Sequence, residues 1–377
     1  MFIKNLQELF ILNLKNIPGL RTDRKIVVIE CDDWGSVRMP SKEVYKALLN
    51  SGISVDKGRY TKYDTLADKV DLECLFEILL NIKDKNGNHP VMTPMTVVAN
   101  PDFQKIKGSD FTQYFYEPFT DTLQRYKRSP ETFNTWKKGL DLGIFVPEFH
   151  GRDHISVQFW LQKLRDGDNK LKIAFDHEVV SINVDGMNPA VSEFRPEFYF
   201  NSPDQVKFLE DAISEGVKVF KSIFKYTPRA FAPANGIFHP VFEAKVAEEG
   251  LKYLNVSRFS RIPDKNGNLK LKFNRIGRET TLGLTYYTRN CAFEPTAPYY
   301  HGIGLTMKQI EAAFRWRKPA NISTHRVNFV GGIDERNREK GLNELKILLK
   351  SIINNWPDVE FMSSADMLKL LSGQVIA

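Results

Sequence analysis

The sequence predicts an α/β protein in which parallel strands alternate with helices along a chain of 377 residues. Short apolar runs of strand length recur between amphipathic segments that are rich in lysine and glutamate, which is the pattern of successive βα units. The first run, from Ile26, is continuously apolar and β-branched, as expected of a strand that is buried on both faces of a parallel sheet. We therefore expect one parallel sheet covered by helices.

Seven strands are predicted from the apolar runs. They are Lys25–Glu30, Thr96–Ala99, Ile144–Phe149, Arg229–Pro233, Tyr253–Val256, Ile322–Thr324 and Val359–Met362. Helices are predicted from amphipathic periodicity. They are Ser41–Asn50, Leu72–Ile82, Ser202–Phe224, His239–Glu249, Met307–Arg317, Arg338–Asn355 and Ser364–Ser372.

Two segments fit this alternation poorly and are predicted to be insertions into a single domain, 1–377. Residues 102–138 are rich in Phe, Tyr, Thr and Lys without a clear period, and residues 264–298 contain a turn signal and suggest a hairpin. Long irregular segments in compact domains tend to be functional. Both are expected to build walls around a site.

Composition and charge narrow the class of partner. The formal net charge of +7 is modest for this length, and no dense Lys/Arg cluster argues for nucleic acid. Such a charge favours an anionic glycan or a lipid headgroup surface. The three cysteines are too few and too widely spaced to imply a disulfide framework.

The N-terminal segment has the spacing of an amphipathic helix. Its apolar positions are Ile3, Leu6, Leu9, Phe10 and Leu14. Such a helix either packs on the protein or makes weak contact with a membrane surface, and packing is expected of so short a segment. The segment is too short to span a bilayer and resembles no signal peptide, so a cytoplasmic location is expected.

A metal site is predicted from two distant motifs. Asp32 and Asp33 end the first apolar run, and His150 and His154 lie four residues apart, so that one turn can direct both imidazoles at a single ion. One carboxylate and two histidines leave room for water on the ion, as in hydrolytic metal centres. Because successive strand side chains point in opposite directions, the two aspartates are expected to have separate roles, one as a ligand and one as a general base.

Two further strand ends carry candidate residues. His325 follows a short apolar run and is a candidate to protonate a leaving group. Residues 231–236 form a strand end that runs into a tight turn, in which Pro233, Asn235 and Gly236 are predicted to line a substrate groove.

The order of these motifs resembles the polysaccharide deacetylase family, the carbohydrate esterases with NodB homology. The family's first motif is matched by Ile29–Gly35, its second by His150–His154 with Gly151 in place of a hydroxyl residue, and its last by Ser323–His325. Residues 231–236 match its groove motif loosely, and residues 359–371 match its closing strand and helix. The resemblance implies a distorted (β/α)7-type barrel with insertions.

The resemblance also implies roles for the site residues. Asp33, His150 and His154 would hold a divalent metal ion, with Zn²⁺ expected from this ligand set. Asp32 would be the general base and His325 the general acid in removing an acetyl group from an N-acetylated sugar of a glycan. Ala232 stands where the family usually has an arginine. The candidates to replace that arginine are Arg152, Arg195 and Arg258.

Two other functions stay open on the sequence alone. A glycoside hydrolase on a similar barrel would use two carboxylates, Asp32 with either Glu148 or Asp153. A non-catalytic glycan-binding protein on a degenerate barrel is the other alternative.

Overall fold

The computed structural model describes residues 13, 16–17, 19–126, 131–185, 187–188 and 191–373. The predicted N-terminal amphipathic segment lies outside the described residues. The strands in chain order are β1 (Ile26–Trp34), β2 (Met92–Val97), β3 (Ala99–Pro101), β4 (Tyr116–Pro118), β5 (Glu148–Gly151), β6 (Ala230–Phe231), β7 (Tyr253–Asn255), β8 (Phe259–Pro263), β9 (Leu269–Phe273), β10 (Thr285–Tyr287), β11 (Cys291–Ala292), β12 (Ala320–His325) and β13 (Glu360–Phe361).

Helices fill most of the connections between these strands. The α-helices of the described residues are Lys42–Asn50, Arg59–Tyr63, Lys69–Leu80, Phe103–Gly108, Phe119–Arg125, Thr132–Asp141, Val157–Arg165, Asn169–Asp176, Gln205–Phe224, Glu243–Glu248, Gly304–Arg315, Glu335–Asn355 and Ser364–Gly373. Short 3₁₀ turns cover Ala234–Gly236, Pro240–Phe242 and Arg326–Asn328. None of the described helices is long and apolar enough to cross a membrane.

The main sheet is parallel, with the strand order β10-β7-β6-β5-β2-β1-β12-β11, and β13 pairs with the start of β1. Its two edge strands, β10 and β11, are separated in sequence by residues 288–290 alone. A linker of that length spans at most about 14 Å. The eight strands must therefore curl so that their two edges approach each other, which gives a parallel half-barrel.

Burial follows from this architecture. Every residue of β1 is buried, because the strand lies inside the sheet and is covered on both faces. The largest apolar cluster includes Val27 and Ile29 of β1 and Leu345 and Leu349 of the helix Glu335–Asn355. The predicted α/β fold class with a distorted parallel barrel is confirmed.

The two segments predicted as insertions differ in their relation to the sheet. Residues 102–138 hold β4, which pairs with β3 outside the main sheet, and two whole helices and part of a third. Residues 264–298 include β9, which pairs with β8 in a separate hairpin, but they also supply β10 and β11 to the main sheet. The polar residues Thr288, Arg289 and Asn290 separate β10 from β11, so this part of the chain lacks the longer apolar run that marks the predicted strands.

Candidate active site

The eight residues singled out in the sequence line a single cavity of about 460 Å³. They are Asp32, Asp33, His150, His154, Pro233, Asn235, Gly236 and His325. They follow or end strands β1, β5, β6 and β12, and the carboxyl ends of parallel strands meet at one edge of a sheet. The fold therefore gathers residues that lie up to 293 positions apart in sequence.

A β-bulge explains how two adjacent aspartates enter the same cavity. The register of β1 against β2 shifts between Cys31 and Trp34, so that β1 carries an additional residue there. Asp33 has φ of 72°, in the left-handed region that non-glycine residues rarely adopt. In a regular strand the two carboxylates would point in opposite directions, and the bulge removes that constraint.

Asp33, His150 and His154 form a compact group of buried potential ligands. One ligand atom from each lies within 4.8 Å of the others. Oδ1 of Asp33 is 3.2 Å from Nε2 of His154 and 3.8 Å from Nε2 of His150. These three side chains could hold a metal ion, as the sequence predicts.

The protonation states favour ligation. Nδ1 of His150 donates to the carbonyl oxygen of Ala232 at 2.6 Å, which leaves the lone pair of Nε2 directed into the cavity. Burial, reinforced by the positive charge of Arg38, lowers the pKa of His154 to about 4, so this imidazole is neutral near neutral pH. For Asp33, burial alone would raise the pKa, but Arg38 and the two histidines outweigh burial and hold it well below its usual value.

Arg38 competes for the same donor atoms. Its Nη2 lies 3.0 Å from Oδ1 of Asp33 and 3.3 Å from Nε2 of His154. A carboxylate and two imidazoles nevertheless match the three-ligand set of catalytic zinc sites. The residues present therefore fit a divalent ion, and binding of the ion must offset the ion pair between Arg38 and Asp33.

Glu197 holds the loop that carries His154. Its Oε1 accepts from the backbone N–H of Arg152 at 3.0 Å, and its Oε2 accepts from that of His154 at 3.2 Å. His154 itself has φ of 56°, a strained conformation that persists only where the surroundings fix it. Glu197 was not identified from the sequence, because no local pattern links it to residues more than 40 positions earlier.

The carboxylate of Glu197 also explains why position 151 is a glycine. Gly151 has φ of 128°, and a Cβ there would lie 2.0 Å from Oε2 of Glu197. The hydroxyl residue of the family motif has no space in this loop. The loop is held by Glu197 instead.

We expect Gly151→Ala to lower the free energy of unfolding by several kcal/mol, because the clash and the backbone conformation both oppose a side chain. Gly87→Ala is the matched control. Gly87 also has a positive φ, of 84°, but nothing lies within 4 Å of its added Cβ, so a loss of about 1 kcal/mol is expected. Chemical denaturation of both variants measures the difference, and equal losses would contradict the role given to Glu197.

Asp32 is held by an arginine that the sequence analysis missed. Nη1 and Nη2 of Arg289 donate to its two carboxylate oxygens at 2.6 and 2.7 Å, in a bidentate pair. Nε of Arg289 donates to Glu30 at 2.5 Å, and this fixes the guanidinium plane. Burial alone would raise the pKa of Asp32, but the charge and hydrogen bonds of Arg289, together with the charges of His150 and His325, keep that pKa below its usual value.

None of the three arginines proposed from the sequence pairs with Asp32. Arg152 donates to Asp153 at 2.7 Å and does not line the cavity, and Arg258 does not line it either. Arg195 lines the cavity but pairs with Glu193 at 2.8 Å. Arg289 follows β10 inside a segment predicted as an insertion, and for that reason it was not considered.

His325 is paired with Glu294 and also approaches Asp32. Its Nδ1 lies 2.5 Å from Oε1 of Glu294, and its Nε2 lies 3.8 Å from Oδ2 of Asp32. Burial alone would lower the pKa of His325, but the charge and hydrogen bond of Glu294 outweigh it and raise the pKa to about 9. His325 is therefore protonated near neutral pH.

The groove segment contributes mainly through its backbone. The carbonyl of Ala232 accepts from His150, and Asn235 and Gly236 are exposed at the cavity wall with φ of 56° and 64°. The N–H of Gly236 already donates to the carbonyl of Pro233 at 3.1 Å. It is therefore committed within the turn and is not free to bind an oxyanion.

The two carboxylates proposed as partners of Asp32 in a glycosidase, Glu148 and Asp153, do not line the cavity. Glu148 accepts two backbone hydrogen bonds, from Arg229 and Ala230, both at 2.7 Å, and Asp153 accepts from Arg152. Among the described residues that line the cavity, the only carboxylates are Asp32 and Asp33. The pairing of Asp32 with Glu148 or Asp153 is therefore wrong.

Comparisons with known proteins add a distant likeness in fold. No family model and no curated protein matches the sequence. A putative polysaccharide deacetylase from Mycobacterium smegmatis is similar with a TM-score of 0.41 and 10% identity over 95% of both chains. A mutant peptidoglycan deacetylase from Bacillus subtilis gives 0.35 and 8% over 94% of both chains.

An enzyme that is not a deacetylase is about as similar in fold as the two deacetylases. A 4-alpha-glucanotransferase from Thermococcus litoralis has a TM-score of 0.45 and 10% identity, over 92% of this chain. The chain spans 40% of the length of that enzyme. Likeness at this level assigns no activity, so the function must be argued from the site itself.

Proposed function

We propose that the protein is a metal-dependent hydrolase that removes an acetyl group from an N-acetylated sugar of a glycan or glycan precursor. The observation that carries the proposal is the convergence of three units on one cavity. They are the ligand group of Asp33, His150 and His154, the Asp32–Arg289 pair and the His325–Glu294 pair. A ligand group, a carboxylate base and an imidazolium acid are the components that metal-assisted amide hydrolysis needs.

The side chains divide the chemistry between them. A divalent ion, expected to be Zn²⁺, would supply a polarised water and stabilise negative charge on the acyl oxygen. Asp32 is ionised and would accept a proton from the attacking water, while Arg289 holds both of its oxygens in place. His325 is protonated and donates to the leaving sugar amine, with Glu294 stabilising its charged form.

The role of His325 predicts a dependence on the leaving group. His325→Ala should abolish most hydrolysis of a sugar amide, which departs poorly without a proton, and should spare an activated aryl ester. Because the protonated imidazole is the active form, amide hydrolysis by the unaltered protein should fall as the pH rises through about 9. Rates on both substrates between neutral and alkaline pH test this, and equal losses on amide and ester would indicate a structural role.

The charge of the cavity favours an acidic sugar. The cavity is lined by three guanidinium groups and by two carboxylates, so its arginines outnumber its carboxylates. The groups are those of Arg38, Arg195 and Arg289 and of Asp32 and Asp33. A bound divalent ion would increase this positive excess. A carboxylate or phosphate on the sugar would offset it, so acidic sugars belong among the substrates tested.

One observation favours a second candidate, a non-catalytic glycan-binding protein. The guanidinium of Arg38 pairs with Asp33 at 3.0 Å and so competes with an ion for this carboxylate. If that pair keeps a metal out of the site, Asp32→Asn should leave the biological function intact. Arg38→Met, which removes the competing charge, should then raise the affinity for Zn²⁺ from a negligible value.

The experiment that tests the proposed function is product analysis on a panel of neutral and acidic N-acetylated glycans. Release of acetate without new reducing ends supports deacetylation. New reducing ends without acetate would contradict it and indicate a glycoside hydrolase. Neither product from any member of the panel, with tight binding to one of them, would favour the non-catalytic candidate.

A further inference from the structure

The antiparallel hairpin of β8 and β9 exposes an apolar face. Phe259 lies directly opposite Phe273, with ring centroids 5.5 Å apart, and Arg261 lies opposite Leu271. Directly opposed residues, and residues two positions apart on one strand, share a face, so these four side chains lie together. Phe259 is 59% exposed, Phe273 51% and Leu271 74%.

The other face of the hairpin ties it to the barrel. On that face, Nζ of Lys272 donates to the hydroxyl of Tyr286 in β10, a strand of the main sheet, at 3.3 Å. At the tip, the hydroxyl of Tyr199 donates to the carbonyl of Gly267 at 2.8 Å. The hairpin is therefore held in place, and its apolar face is turned to solvent by the fold.

The same segment carries an excess of positive charge. Residues 258–279 contain seven basic and two acidic side chains, which gives five of the net +7 charges of the whole protein. The guanidinium of Arg258 lies 6.0 Å from the ring centroid of Phe259 and 5.7 Å from that of Phe273. Exposed apolar side chains set among basic ones are the features that bind proteins to anionic membrane surfaces.

We propose that the outer face of the β8–β9 hairpin docks on an anionic lipid surface. An acidic glycan is the main rival, because sugars also stack on aromatic rings. A sugar gains little from Leu271, the most exposed of the three apolar side chains, whereas the headgroup and acyl boundary of a bilayer accepts all three. A lipid surface therefore explains the exposure of all three apolar side chains of this face.

Docking would bring the cavity close to the membrane. Asn255 and Ser257, at the end of β7, line the cavity, and β8 begins at Phe259. A substrate presented at a lipid surface would then enter a site a few residues from the docking face. The docking proposal does not depend on the activity proposed for that site.

Vesicle sedimentation of the full chain tests the proposal. Phosphatidylcholine vesicles that contain about one third phosphatidylglycerol should retain the protein at low salt and less at high salt, and pure phosphatidylcholine should not. The triple variant Phe259→Ser, Leu271→Ser, Phe273→Ser should lower partitioning about tenfold or more. Circular dichroism checks that the variant is folded.

The matched control replaces exposed apolar residues elsewhere. Val70→Ser and Leu142→Ser change side chains that are 50% and 47% exposed, and they should leave partitioning unchanged. The proposal is overturned if the triple variant partitions like the unaltered protein, if the control loses binding equally, or if neutral vesicles bind as well. Retention on an acidic polysaccharide without vesicle binding would assign the face to glycans.

Discussion

Replacing both His150 and His154 by alanine should lower the affinity for Zn²⁺ by about a hundredfold or more. Asp33 would remain as the sole ligand of the group, and its charge is already engaged by Arg38 at 3.0 Å. A single carboxylate paired with a guanidinium is a poor site for a divalent ion. Calorimetric titration of the purified protein with Zn²⁺ gives the affinity, and elemental analysis gives the content.

The control for this experiment is His301→Ala, which removes an exposed imidazole outside the ligand group. It should leave both affinity and content unchanged. Unchanged metal content in the His150→Ala, His154→Ala variant would refute the metal site. Because both histidines are buried, thermal unfolding must show that the variant is folded before the result is interpreted.

Asp32→Asn should lower turnover by about a hundredfold or more while leaving the metal content unchanged. The amide keeps the shape of the side chain but cannot accept the proton from water. It also loses the charge that Arg289 pairs with, so a lower melting temperature is expected as well. Steady-state rates and metal content, measured on the same preparation, separate the base from the ligand.

Asp33→Asn provides the contrast, because it should empty the metal site and abolish activity together. If Asp32→Asn empties the site while Asp33→Asn does not, the two carboxylates have been assigned in reverse. Both residues lie at the β1 bulge, so a reversal would mean that the bulge directs Asp32, not Asp33, at the histidines.

Much of the fold could be predicted from the sequence because seven strands of the parallel sheet lie in short apolar runs, and β1 is buried along its whole length. Each predicted strand overlaps an observed one, as Lys25–Glu30 overlaps β1. The edge strands β10 and β11 were missed. They have three and two residues, and the polar residues Thr288, Arg289 and Asn290 lie between them, which interrupts the continuous apolar run on which the prediction depends.

Site residues that form short sequence patterns could be predicted. Site residues that act through contacts between distant parts of the chain could not. The Asp-Asp pair and the two histidines form short patterns, and the structure brings them into one cavity. Arg289 and Glu197 act across 257 and 43 residues, on Asp32 and on the N–H of His154 respectively. The bulge in β1 has no sequence signal of its own, so the shared direction of Asp32 and Asp33 could not be foreseen.

Reconstitution with a known amount of Zn²⁺ is the direct test of whether acetate release depends on a bound metal ion. The protein is stripped by a chelator, and acetate release from an N-acetylated glycan is measured as Zn²⁺ is added back. We expect no activity in the stripped protein and a linear recovery that stops at one ion per chain, because a single group of Asp33, His150 and His154 was found among the described residues. Acetate release that survives complete chelation would contradict a metal-dependent mechanism.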